Sequence, residues 1–306
     1  MSWIFIAVSA YFLGAFAVLM DKFLLGSKRI SSPAVYTFYV GIAGLGAFIL
    51  MPFGLHVPTF GNFMFSLLAG AFYIAGIFAL NVAISKAEAS RVTPVVFSVV
   101  PIATYLISFA IGAEKLSIIQ FLGVMLLVIG GLLISFDLPI RMNKKKFFTG
   151  FSSSCLAGLL LAVAYIMLKS VYLHQDFLSG FMWTRVGGFL VVLLLFIIPT
   201  WRREILKSFS HAKNPSRKNV GTGGFFVLNK VLGGTSSFLL NKALQLGSVT
   251  LINSMVSLQY VFVLVLVAVA ARKKPEVFEE KLLFWDWAQK ICAILIIAIG
   301  MFLISK

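Results

Sequence analysis

Two basic residues stand inside apolar runs: Lys230 beside Asn229, and Arg185 about two turns into the run Phe177–Pro199. A charge at the centre of a membrane-length helix costs ~2.5–3.5 kcal/mol on insertion scales, so it marks a place where water, a counter-charge or a ligand offsets the cost. Counter-charges are missing at that depth. The ten acids, Asp21, Glu88, Glu114, Asp137, Asp176, Glu204, Glu276, Glu279, Glu280 and Asp286, all fall at the ends of apolar runs or between them. The chemistry that suits Arg185 and Lys230 is therefore capture of a carboxylate or another anionic group of a substrate in a wet central cavity. The structural alternative is that Arg185 snorkels or pairs with Asp176 and that carbonyl groups solvate Lys230.

Around this pair, Tyr11, Tyr73, Asn81, Trp183, Asn229, Asn241, Asn253, Gln259 and Tyr260 could supply polar and aromatic lining. Asn and Gln in membrane helices also serve as interhelical hydrogen-bond glue, and Tyr and Trp also mark the interface. Pro101 removes a backbone donor and frees the Phe97 carbonyl in mid-helix, which gives a gate or a static kink. Without an embedded Asp or Glu, cation export coupled to protons through a carboxylate is disfavoured. Lys230 is the leading candidate for carrying a coupled proton.

Enzyme chemistry lacks its usual marks: there is no HExxH, GxSxG or Walker loop, and His56, His174 and His211 fall between apolar runs. Cys155 and Cys292 lie within apolar runs without a CxxC partner, which fits packing better than a disulfide or a metal site. The expectation is a non-enzyme without cofactor or metal.

These residues must be positioned by helices in lipid. Hydrophobic residues fill 60% of 306 positions and charged residues only 12%, about half the charged share of an average soluble domain. Runs long enough to cross the ~30 Å hydrocarbon layer recur along the chain. They predict helices at Trp3–Met20, Pro33–Phe53, Asn62–Ser85, Val92–Gly112, Ser117–Phe136, Phe147–Leu168, Phe177–Pro199, Val220–Leu244, Thr250–Ala271 and Phe284–Ile304. Backbone in lipid must satisfy its own hydrogen bonds, and the short alternating segments of a barrel are absent, so the class is all-α. The first run lacks the basic region and cleavage site of a secretory signal and reads as a retained helix.

The second half echoes the first. Lys22, Thr37 and Gly41 meet Lys169, Thr184 and Gly188 at one offset, and Phe78, Leu80, Asn81 and Ala83 meet Phe238, Leu240, Asn241 and Ala243 at another. This pattern predicts a five-helix repeat over residues 1–137, a basic linker over 138–146 and a second repeat over 147–306. An odd number of helices per repeat makes the two halves cross the membrane in opposite senses. The net charge of +16 sits mainly between helices, where it sets orientation and contacts anionic lipid rather than nucleic acid. The loops after the odd-numbered helices hold nearly all of the loop Lys and Arg and are expected in the cytoplasm, with both termini outside. Small residues at Ser66/Gly70, Ala71/Ala75 and Ser154/Gly158 have the spacing of close helix contacts.

One stretch goes further. Asn81–Ser135, with the turn AEAS, the helix opening VTPVVF, Pro101, the Glu-Lys-Leu turn at Glu114 and a closing glycine-rich helix, resembles the EamA-type repeat of the drug/metabolite transporter superfamily. Ser254 and Val261 replace Pro94 and Pro101 in the second half, and the Glu114 turn becomes a longer loop around Glu279 and Glu280. The resemblance implies two five-helix repeats that move small organic metabolites; the family's usual cytoplasmic termini oppose the charge pattern. The combined expectation is a secondary transporter for a small anionic or zwitterionic, amino-acid-like metabolite, in a bacterial inner membrane, with lipids and at most a second copy as partners. A nucleotide sugar or other phosphate-bearing solute is the runner-up, and a membrane-embedded lipid-handling enzyme is the rival from another class.

Overall fold

The computed structural model describes residues 2–25, 32–86, 89–135, 144–212, 219–271 and 284–306; within these, the side chains of 21–25, 89–91, 144–149, 210–212, 219–226, 270–271 and 284–287 are left undescribed. Among the described residues there is no strand. The elements are α1 (Ser2–Leu25), α2 (Pro33–Gly44), which continues as a 3-10 helix through Leu45–Phe53, α3 (Phe60–Lys86), α4 (Ala89–Ala110), α5 (Ile118–Ser135) and α6 (Lys144–His174). Then follow α7 (Phe177–Leu194, tightening to 3-10 at Leu195–Ile197), α8 (Pro199–Ala212), α9 (Asn219–Leu246), α10 (Val249–Ser254), α11 (Val256–Ala271) and α12 (Phe284–Ile304). Among the described residues, eight stretches are long and apolar enough to span a bilayer, and Ala288–Ile304 in α12 is a shorter apolar helix. This is an all-helical, multi-pass membrane protein.

Three differences from the sequence expectation have physical causes. Residues 201–212, read as part of a charged loop, form most of α8, because Trp201 and Ile205 fall on one helix face and are packed against α2 and α3 while Arg202, Arg203 and Lys207 are exposed. The expected helix at 250–271 is interrupted at Met255, and its start is capped by Ser248, whose hydroxyl accepts from the Leu251 amide. The second half of the predicted helix at 33–53 narrows to 3-10 geometry, ending beyond Pro52 at Gly54, whose φ of 134° only glycine adopts readily.

The most extensive packing is α3 on α6, α1 on α9 and α5 on α12. Two helices thus exchange sides: α1 packs on α9 and α11, and α6 packs on α3 and α4. Gly70 and Gly187 let α3 and α7 approach backbone to backbone; a Cβ at Gly70 would stand 1.8 Å from the Thr184 carbonyl oxygen, and one at Gly187 2.0 Å from that of Leu67. Of the small-residue pairs read from sequence, Ser66/Gly70 and Ser154/Gly158 lie at buried contacts, Gly158 against Val99 of α4. The helices bury many Ala, Gly and hydroxyl residues beside large ones such as Leu127, Tyr172 and Met255, and they expose large apolar side chains, such as Phe5, Ile49, Phe60 and Ile118, unlike a water-soluble surface.

Candidate functional site

α7 begins at Asp176, whose carboxylate accepts from the Ser179 amide at 3.1 Å. This cap occupies the acid that could have served Arg185. Two turns on, Arg185 points between α7, α3 and α9: its guanidinium donates to Ser237 Oγ at 3.2 Å and lies 4.3 Å from the Phe181 ring centre and 5.6 Å from that of Tyr73. Tyr165 of α6 closes on Tyr73 edge to face at 6.1 Å. No described carboxylate pairs with Arg185; its partners are one hydroxyl and two ring faces, which leave guanidinium donors for a further acceptor.

Ser237 is itself held in place. Asn241, one turn along α9, donates to the Ser237 carbonyl at 2.7 Å, and its own Oδ1 accepts from the Tyr172 hydroxyl at 2.7 Å. A partly buried series of hydrogen bonds therefore links α6 and α9 to Arg185, through the carbonyl and the hydroxyl of Ser237. Lys230 lies on the same α9 stripe, seven residues before Ser237, which is about 10.5 Å along the axis. It is exposed, and nothing approaches within 4 Å of where a Cβ on Gly234 would stand between them.

The other residues singled out from sequence separate into groups. Asn229 is buried. Asn81 donates to Thr37 Oγ1 at 3.1 Å, a tie between α3 and α2, so the two asparagines aligned in the sequence offset make different bonds. Trp183 stands two residues from Arg185 on another face of α7; its Nε1 donates to the His56 carbonyl at 3.0 Å and its ring meets Phe48 and Phe63. Tyr11 donates to the Ile252 carbonyl at 2.8 Å, fastening α1 to α10. Gln259 of α11 lies across Gly14 of α1. Tyr260, whose buried hydroxyl has no hydrogen-bond partner among the described residues, lines a small cavity with Pro94, Phe97, Ser98, Gly131, Ser254 and Ser257. Pro101 is buried in α4 without interrupting it, and Phe97, whose carbonyl it frees, lines the same cavity. The structure thus brings together Arg185, Tyr73 and Asn241, with Lys230 two turns away, and sets Asn81, Trp183, Tyr11, Gln259, Tyr260 and Pro101 at other contacts.

Sequence reasoning missed Phe181, Tyr165, Tyr172 and Ser237. Only Ser237 had a signal, its spacing of seven and four from Lys230 and Asn241. It also missed a clamp on the turn between α9 and α10. Lys169 donates to the carbonyls of Gln245 and Gly247 at 3.1 and 2.7 Å, while Glu114 accepts from the Val249 and Thr250 amides and from the hydroxyls of Ser248 and Thr250. An ammonium at one helix end and a carboxylate at the next helix start each match the local dipole. Glu114→Gln is expected to lower the melting temperature by roughly 3–6 °C, about 1.5–2 kcal/mol of charged hydrogen bonding at a few degrees per kcal/mol. Tryptophan fluorescence on heating reads it. Lys169→Met should do the same, and the double variant should lose less than the sum, since both groups hold one turn.

The fold and the site define a class: a multi-pass helical membrane protein with an arginine among aromatic rings at its centre. Residues 1–136 match the model of the EamA-like transporter family, which lies within the drug/metabolite transporter superfamily. A solved crystal structure of a protein is similar over 99% of this chain and 96% of its own, with a TM-score of 0.70 and 15% identity, which is likeness of fold. No curated protein matches the chain.

Proposed function

We propose that this protein is a secondary transporter for a small anionic or zwitterionic metabolite of the amino-acid kind, whose carboxylate binds Arg185. The observation that carries the reading is Arg185 itself: a guanidinium among aromatic rings, with one hydroxyl partner and no acid among the described residues. Tyr73 and Tyr165 flank the site, and Lys230 offers a second positive charge at its more open end. The family match over residues 1–136 supports solute transport.

The architecture is ten membrane-crossing helices, counting α10 and α11 as one and leaving out α8, which does not cross. They form two inverted five-helix units, 1–137 and 147–306, joined by the basic linker 138–146. The exchange of α1 and α6 between the halves supports this, as does the grouping of chain ends and turns. Trp3, Glu114, Lys169 and the turn 245–250 meet at one face, and Ser32 meets Glu204 at the other. The second face is cytoplasmic and the termini lie outside. Rocking of α3, α4, α6 and α7 against α1, α9 and α11 alternates access to Arg185.

Thermal unfolding of the purified protein against carboxylates, zwitterions, amine cations and phosphate-bearing sugars tests the substrate class. A ligand at 100 times its Kd adds ~2.7 kcal/mol, and carboxylate-bearing compounds alone are expected to give that shift and to drive counterflow in proteoliposomes. Lys230→Ala should weaken the shift without removing it. Stabilisation confined to cations would end the reading, and stabilisation confined to phosphate esters would move it to the runner-up substrate.

A further inference from the structure

α8 follows the 3-10 end of α7 after a single extended residue, Ile198. Leu193, Leu194, Ile197 and Ile198, four of the last six residues before α8, are exposed apolar side chains, Ile197 at 72%, while Leu195 between them is buried, so one side of this segment faces lipid where the chain enters the helix. α8 then docks through one face. Ile205 is fully buried, Trp201 stacks edge to face on Phe78, Phe209 meets Phe38, Ser208 bonds the Tyr39 hydroxyl at 3.0 Å, and Ser32 donates to Glu204. The opposite face carries Arg202, Arg203 and Lys207, all exposed, with Leu206 between them at 54% exposure.

We propose that α8 is an interfacial helix whose outer face binds the head groups of anionic phospholipids. Residues 202, 203, 206 and 207 span about 140° of the helix circumference at 100° per residue, on the side away from Trp201, Ile205 and Ser208, which dock on α2 and α3. A cationic face with an apolar residue at its centre suits the head-group boundary, where Leu206 and the exposed part of Phe209 enter the acyl region and the guanidinium groups meet phosphates. Continuity with the exposed apolar end of α7 sets the depth and points to the membrane surface rather than to a soluble partner. Because α8 clasps the start of α2, lipid held there also holds α2 in place.

The test is thermal unfolding of the full chain in nanodiscs of phosphatidylcholine alone and with about one third phosphatidylglycerol, at low and at high salt. The anionic lipid is expected to raise the melting temperature by roughly 5 °C at low salt, and most of that gain should vanish at about 0.5 M salt. Arg202→Gln/Arg203→Gln/Lys207→Gln should erase the gain while keeping the melting temperature in phosphatidylcholine. Lys115→Gln, an exposed charge on the opposite face, should keep it. An equal loss in Lys115→Gln would reduce the effect to net charge and overturn the assignment. So would a full gain in the triple variant, or the same stabilisation by inorganic phosphate in phosphatidylcholine. No substrate enters the experiment, so its outcome is independent of the transport reading.

Discussion

Arg185→Ala is expected to abolish carboxylate-induced stabilisation and reduce transport by about 30- to 150-fold, while leaving the ligand-free protein nearly as stable as before. The first part follows from losing charge-assisted hydrogen bonds to a carboxylate, about 2–3 kcal/mol. The second follows from opposed terms in the empty site: a charge at membrane depth costs ~2.5–3.5 kcal/mol, and the Ser237 bond with the Phe181 and Tyr73 faces returns a similar amount. A purely structural arginine behaves oppositely, because its removal lowers the melting temperature of the empty protein and leaves the ligand shift intact. Arg185→Lys should recover only part of the binding, since an ammonium lacks the planar fork. Arg185→Met, which keeps contact with the Phe181 ring, should match alanine in binding. Melting curves with and without ligand, together with counterflow, separate these outcomes.

Much of this site was legible because charge in an apolar run is conspicuous. Arg185 and Lys230 could be picked out by composition alone, and the Ser237 to Asn241 spacing could have added α9's inward stripe. Trp183 illustrates the limit: its residue type suggested lining, but two positions from Arg185 is about 200° around a helix, and the indole faces His56. Asn81 and Asn241 show a second limit. They align when the two halves of the sequence are offset by 160, yet one is bonded to Thr37 and the other to Tyr172, because the neighbouring helices that supply their partners differ. The Glu114 clamp joins residues more than 130 positions apart, with no local pattern to announce it. α8 was hidden by its charge: WRREILK reads as a polar loop until Trp201, Ile205 and Ser208 are seen as one face.

The contact between α3 and α7 couples this architecture to the site most directly, and Gly70→Ala is expected to damage both. A methyl 1.8 Å from the Thr184 carbonyl oxygen must move by more than about 1 Å to reach ordinary contact, and backbone cannot yield as a side chain does. Overpacking of this kind costs ~1–3 kcal/mol, which corresponds to a fall in melting temperature of roughly 3–9 °C. Gly187→Ala, 2.0 Å from the Leu67 carbonyl oxygen, should do the same. Because Thr184 precedes Arg185 and Tyr73 lies three residues past Gly70, prising the helices apart also moves the guanidinium from its ring, so transport should fall further than stability alone explains. Gly61→Ala on α3, where nothing lies within 4 Å, should change neither. If Gly70→Ala keeps full stability and transport, α3 and α7 do not pack at this distance, and Arg185 then needs a different support from the one described.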